Sequence, residues 1–416
     1  MNKIYSLTIL LIYLATTTIA QNNVSMTPGY AEDVFYSFSD GEVSSISNTD
    51  WDLAFQISGF AASIRINSIK GVELRMVPGL GQSDWANVDT TGMKSWKQVY
   101  NADSAWENGA FNAGLNSNDP FDLGWGVYNP TTHVVGGDSM FVLTLADQSV
   151  KKIRIDQLSG GVYGFTYANI DGSEEVNATL NKTDFENKFF GYYSFATDSI
   201  INREPDQANW DLVFTRYLAD YAPGVKYPVA GVLTNPAVEV AELRSVDLSQ
   251  MTLNDTTGAD FSLNISTIGY DWKNFNMTLP IPAWELIDSL GYFVRAQNGE
   301  TYLMYFTDFG GSGTGDISFE TTNLTTSIEL SETFASFNIF PNPTSGKFSI
   351  SYELVNPEPV NIEVFDLSGR SLFQTSRNAA FGRQDIQIEQ LLLPKGMYLV
   401  NVKTPRSQIT ERLIIN

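Results

Sequence analysis

Trp51-Asp52-Leu53-Ala54-Phe55 and Trp210-Asp211-Leu212-Val213-Phe214 are two copies of one five-residue pattern. Its large apolar residues alternate, which puts Trp51, Leu53 and Phe55 on one face of a strand and Asp52 on the opposite, wetter face. Trp51 and Trp210 then read as core anchors rather than ligand platforms. Each copy follows an aromatic run, Tyr36-Ser37-Phe38 and Tyr193-Ser194-Phe195. Further landmarks recur in the same order. Asn67 with Val72-Glu73-Leu74 is echoed by Asn235 with Val238-Glu239-Val240, and Asp89-Thr90-Thr91-Gly92 by Asp255-Thr256-Thr257-Gly258. Gly124-Trp125 is echoed by Asp271-Trp272, and Asp138-Ser139 by Asp288-Ser289. Common order argues for a duplicated β-rich unit, with copies at 29–170 and 191–324.

Within each copy the turns support strands. Phe141 to Leu145 and Val150 to Ile155 read as a hairpin, as do Tyr292 to Ala296 and Thr301 to Phe306 around Asn298-Gly299. Residues 282–290 offer the best, ambiguous, stretch for a short helix. The expected fold class is all-β: two tandem units followed by a C-terminal Ig-like β-sandwich.

Composition narrows the chemistry. The formal net charge is -22, and a sequence-independent nucleic-acid binder needs the opposite sign to neutralise phosphates. Residues 337–416 carry 8 Lys+Arg against 7 Asp+Glu, which leaves 17 against 40 for residues 1–336, so the acidity belongs to the body. The absence of cysteine removes disulfides and thiolate sites, and a single histidine leaves little room for a Ser-His-Asp triad. No glycine loop has phosphate-binding spacing. Chance acidic pairs are expected among 47 carboxylates. The glycine-rich stretch from Asp308 to Asp316 has oxygen donors but not the regular spacing of a calcium loop. Trp85, Trp96 and Trp106 lie outside the alternating strands and serve either as a ligand platform or as plugs between sheets.

Residues 1–20 read as a signal peptide, with Lys3 as the positive n-region, an apolar run from Ile4 to Ala15, and cleavage between Ala20 and Gln21. That run is too short to span a bilayer. Residues 325–336 are polar and β-branched and read as a linker. From Phe337 several short alternating strands succeed one another to the C-terminus, the pattern of a small sandwich.

This module resembles the type A C-terminal sorting domain of the Bacteroidetes type IX secretion system. The resemblance rests on Phe340-Pro341-Asn342-Pro343, on Asp366-Leu367-Ser368-Gly369-Arg370, on Gly396-Met397-Tyr398-Leu399-Val400 and on Leu413-Ile414-Ile415. It implies passage through the Sec translocon and then the type IX machinery to the cell surface or the medium. The two units resemble HmuY-like surface proteins, on Tyr36 to Val43, both Trp-Asp-Leu-x-Phe copies, Gly161 to Tyr167, Tyr292-Phe293-Val294-Arg295 and Phe306-Thr307-Asp308-Phe309.

That second resemblance implies an all-β fold without by itself implying haem. The family's haem is held by two axial His or Met side chains. The matching position falls on Pro130 in the first unit and on Met277 in the second, and only a short stretch separates Gly258 from Trp272 where the opposite ligand would stand. His133 lies near the region without matching it. The expectation is a non-enzymatic secreted or surface binding protein without cofactor. Haem capture through Met277 or His133 and an adhesive surface role are the alternatives. Removing residues 337–416 should strand the body in the periplasm; truncated protein found at the cell surface after fractionation would refute the sorting assignment.

Overall fold

The computed structural model describes residues 20–59, 61–222, 225–325 and 334–416, apart from 355–356, 367–369, 380–381, 389–390, 392 and 406–407. The chain divides into a body that ends at Leu324 and a module that begins at Thr325. Strands dominate both, and the helical segments described are short 3-10 turns. The expected signal peptide falls on residues outside those described, up to Ala20. Ala20 and Gln21 open the strand Ala20–Ser25, which pairs with Asp316–Asn323.

The body is built in four layers. An eight-stranded sheet, centred on Val150–Ser159 and Val162–Asn169, packs on a four-stranded sheet of Ser199–Ile201, Phe190–Ser194, Leu53–Gln56 and Ile64–Ile66. Leu53, Phe55, Ile64, Phe141, Ile153, Phe165 and Tyr193 fill the first core between them. A second four-stranded sheet holds Val225–Thr234, Leu212–Ala222, Glu32–Ser37 and Gly41–Ser47. It packs on a five-stranded sheet through Val34, Tyr36, Leu212, Phe214, Tyr292, Met304 and Phe319, the second core. Trp125 and Trp272, matched in the sequence, are fully buried, one in each core. Their indole N–H groups donate to the carbonyls of Ala62 at 3.0 Å and Gly269 at 3.2 Å.

The cores do not follow the sequence units. Glu32–Ser37, the opening strand of the first unit, pairs with Leu212–Ala222 of the second. Phe190–Ser194, the opening strand of the second, pairs with Leu53–Gln56 of the first. The exchange is reciprocal. Gly41–Ser47 hairpins onto Glu32–Ser37 and closes that side of it, so the next strand, Leu53–Gln56, joins a different sheet.

Two equivalent stations hold the exchanged strands. Asp52 N–H donates to Tyr193 O at 2.8 Å, and its Oδ2 accepts from Phe195 N–H at 2.8 Å. Asp211 N–H donates to Tyr36 O at 2.8 Å, and its Oδ2 accepts from Phe38 N–H at 2.8 Å. The second carboxylate oxygen is also used: Lys70 Nζ lies 2.7 Å from Asp52 Oδ1, and Gln297 N–H donates to Asp211 Oδ1 at 2.9 Å. Asn67 Nδ2 braces the carbonyls of Asn48 and Trp51, while Asn235 Nδ2 braces those of Gln207 and Trp210. The expected wet face of Asp52 is thus corrected, since Asp52 is 2% and Asp211 4% exposed. The shared face of Trp51 with Leu53 and Phe55 is corrected too. The chain bends at Asp52 to aim its carboxylate at the exchanged strand, and the regular strand starts only at Leu53. Trp51 packs with Ala54, and Trp210 with Val213, on the side away from the cores.

Both expected hairpins form, as Phe141–Thr144 with Val150–Ser159 and Leu290–Arg295 with Thr301–Phe309. Residues 282–290 are not helical: Ala283–Leu286 is a strand paired with Lys273–Asn276. The loop after Asp308 is a tight turn packed on the N-terminal segment. A side chain at Gly315 (φ +79) would meet Thr27 O at 2.1 Å, and the turn carbonyls of Gly315 and Ser312 accept from Met26 and Gly29 N–H.

In the module, Phe334–Phe340, Phe348–Leu354 and Gly382–Ile388 form one sheet, and Ser371–Ala379, Glu358–Phe365, Gly396–Lys403 and Gln408–Ile415 the other. Ile350, Tyr352, Val360, Ile362, Val400 and Leu413 fill the sandwich. Its first strand starts at Phe334, inside the stretch read as a linker.

Because each four-stranded sheet takes a strand from the other unit, residues 20–324 should unfold in one urea transition whether followed by near-ultraviolet circular dichroism or by fluorescence; two resolved transitions would contradict the exchange. Asp52→Ala and Asp211→Ala should each lower unfolding free energy by about 3 kcal/mol, since each strands buried backbone donors and the first also an ammonium group.

Candidate functional site

The two four-stranded sheets face each other across a seam. One side presents Trp51, Ala54, Phe190 and Tyr192, and the other Phe35, Trp210, Val213 and Leu233. Trp106 packs on both groups and donates its indole N–H to Thr234 O at 2.8 Å. It is a plug between sheets. Trp85 and Trp96, the other platform residues, cover the small cluster of Val77, Val88, Met140 and Val142. Trp85 Nε1 is spent on Glu175 Oε2 at 2.7 Å.

Charged groups lie buried in this seam. Arg203 follows the strand Ser199–Ile201 and reaches Asp33 of Glu32–Ser37, Nη2 to Oδ2 at 3.0 Å, and Ser47 O at 2.8 Å. Its Nε sits 3.0 Å from Asp50 Oδ1, an ion-pair distance at an angle too poor for a hydrogen bond. The guanidinium also covers the Tyr192 ring at 5.1 Å. Burial works to lower the Arg203 pKa, but Asp33, Tyr192 and Asp50 outweigh it and hold the group charged, above its ordinary value. Arg65 donates to the carbonyls of Ala102, Ala105 and Trp106, and burial brings it down to about 10.

Glu204 is enclosed beside Arg203. Its Oε1 accepts from Phe189 and Phe190 N–H, and its Oε2 accepts from Tyr192 O–H at 2.8 Å. Burial pushes its pKa up to about 7, against these hydrogen bonds and the Arg203 charge.

A cavity of about 100 Å³ remains in the seam, lined by Trp51, Trp106, Trp210, Tyr217, Phe35 and Phe190 among others. Trp51 Nε1, Trp210 Nε1 and Tyr217 Oη are buried there with no partner among the described residues. A buried polar group without a partner costs about 1–3 kcal/mol, so three around one cavity mark a place built for a polar guest, with acceptors for the two indoles. Sequence reading singled out Trp51, Trp106 and Trp210 but assigned the first and last to cores. It missed Asp33, Arg65, Arg203 and Glu204, which no motif surrounds.

The residues considered for haem are elsewhere. His133 (φ 57) is exposed in the turn between Gly126–Asn129 and Val134–Gly137, with Nδ1 2.7 Å from Tyr128 Oη. Met277 is 76% exposed after the strand Lys273–Asn276 of a separate two-stranded sheet. The structure does not bring them into one site.

The sorting-motif residues form a clasp at the end of the module. Both X-Pro bonds of Phe340-Pro341 and Asn342-Pro343 are cis. Asn342 Nδ2 donates to Arg412 O at 2.6 Å, and Ile414 N–H donates to Asn342 Oδ1 at 2.9 Å, so the opening motif grips the last strand. Tyr398 O–H donates to Pro394 O at 2.7 Å, just before Gly396 opens its strand. Asp366 and Arg370 pair at 3.0 Å, while Gly369 falls outside the described residues.

Because Glu204 holds its proton more tightly folded than unfolded, unfolding releases a proton between its ordinary value of 4.5 and about 7. Its contribution to stability therefore falls as pH rises through that window, by about 3 kcal/mol at most. Glu204→Gln should flatten this part of the profile in urea titrations at successive pH values; an unchanged slope would remove Glu204 as its source.

Residues 338–416 match the family described as the secretion system C-terminal sorting domain. No curated protein matches the chain. Among solved structures, apo PinO from Porphyromonas gingivitis aligns at 11% identity and a TM-score of 0.20, over 74% of this chain and 98% of that one. Dimeric latent PorU from Porphyromonas gingivalis aligns at 11% identity and a TM-score of 0.17, over 68% of this chain and 31% of that one. No described helix is long and apolar enough to cross a membrane. The chain ends in a type IX secretion sorting domain, and it is exported to the cell surface or beyond it.

Proposed function

We propose that the exported body is a non-enzymatic binding protein, assembled from two copies of an HmuY-like unit, whose ligand occupies the seam cavity. The observation that carries this reading is the trio of buried, unpartnered donors, Trp51 Nε1, Trp210 Nε1 and Tyr217 Oη, around a cavity walled by aromatic rings. Donors in such a place favour a ligand that supplies acceptors. The copies are supported by the matched Asp52 and Asp211 stations.

Haem is disfavoured in this reading. Sites for drug-sized ligands run to about 300–1,000 Å³, against about 100 Å³ in the seam. An adhesive role has one feature in its favour: the hairpin of Lys273–Asn276 and Ala283–Leu286 exposes Phe275, Met277, Ile281 and Trp284. Sedimentation of an Ile281→Ser variant beside the native chain would reveal self-association through that tip.

A native mass spectrum of the chain recovered from culture should show a small bound mass that is lost in Tyr217→Phe, with the fold kept. Haemin titration should leave the Soret band unshifted; a saturable shift abolished by Met277→Ala or His133→Ala would replace this proposal with haem capture.

A further inference from the structure

We infer that the seam cavity selects a small uncharged molecule with two oxygen acceptors, held between the indole N–H groups of Trp51 and Trp210. The inference rests on the reading of the cavity as the ligand site and specifies what that site would accept.

Polarity follows from which lining groups are already engaged. Several acceptors at the wall already have donors. Asp33 accepts from Arg203 and Thr215, Glu204 from two backbone N–H groups and Tyr192, and the carbonyls of Ala102, Ala105 and Trp106 from Arg65. What stays unpaired at the wall on the ring side chains is two indole N–H groups, which can only donate, and one phenol hydroxyl, which can donate or accept. The two indole N–H groups can be met only by acceptors, and a ligand that brings an oxygen to each completes them.

Neutrality follows from the charges. Arg203 is flanked by Asp33 and Asp50, and Arg65 is met by three carbonyls. Arg216 belongs to the lining, but it alternates with Thr215 and Tyr217 along Leu212–Ala222, and its charge acts on Tyr30 beside the second core. A carboxylate in the cavity would face Glu204 and Asp33, and Arg203, although its Nε makes no hydrogen bond, is already flanked by the two carboxylates of Asp33 and Asp50.

Size and shape follow from the cavity and the stations. A cavity of about 150 Å³ takes benzene, so about 100 Å³ limits the guest to that size or smaller. Trp51 and Trp210 occupy the same place relative to the Asp52 and Asp211 stations, one on each sheet. The two indoles therefore belong to opposite walls of the cavity, and a guest that meets both N–H groups carries an acceptor toward each wall.

The indole N–H resonances of the 15N-labelled full-length chain test this directly, because hydrogen bonding moves them. Three probes separate the classes: 1,4-dioxane, with an oxygen at each end of a benzene-sized ring and no donor; cyclohexane, with the same outline and no acceptor; and acetate, an anion. Dioxane should shift the Trp51 and Trp210 signals saturably while those of Trp85 and Trp96 stay in place. Tyr217→Phe, which removes one hydroxyl and leaves the ring, should weaken the effect by about tenfold, and Trp210→Phe should abolish it. Binding of cyclohexane or acetate in preference to dioxane would overturn the inference and leave the cavity a ligand site of another class. No shift with any probe would mean that water alone fills the seam, and would overturn the inference together with the reading it rests on.

Discussion

A buried carboxylate that accepts the backbone N–H of a strand from the other half of the body is the contact on which this architecture turns. Asp52 does this for Phe195 and Asp211 for Phe38, each at 2.8 Å. A carboxylate is expensive to bury unless every lone pair is used. Here the remaining oxygen is taken by Lys70 in one station and by Gln297 N–H in the other. The bend that aims the carboxylate also turns Trp51 and Trp210 out of the cores. One local geometry thus locks the strand exchange and supplies the aromatic walls of the seam.

The seam is consequently unlike the two cores it separates. The cores are built from alternating apolar residues on facing sheets. The seam buries Arg203, Glu204, Asp33 and Arg65 among tryptophan and phenylalanine rings. Such a network is stabilising only while each member is paired. Removal of one partner leaves a charge in a poor dielectric, which gives the interface one permitted register. The cavity and its unpartnered groups lie between the two aromatic faces that the Arg203–Asp33 ion pair links.

The C-terminal module shows the same economy at smaller scale. Its opening Phe-Pro-Asn-Pro segment and its final strand are distant in sequence and joined through both ends of the Asn342 amide. The opening and closing segments of the recognised pattern are thus structural neighbours.

Much of this was legible in the amino-acid order alone. Alternation, Asn-Gly turns and the Pro-Asn-Pro motif determine short strands, hairpins and an exported tail, because those signals act over a few residues. The matched order of Asp52 and Asp211, Asn67 and Asn235, and Trp125 and Trp272 also stood in the sequence, and each pair takes equivalent places. Which strand pairs with which was decided only by tertiary structure. A strand reads the same whether it joins its own unit or its neighbour, since period-two patterning fixes a face and not a partner. The seam residues were hidden for the same reason: Arg203 and Glu204 look like ordinary surface charges until the exchange encloses them between two sheets.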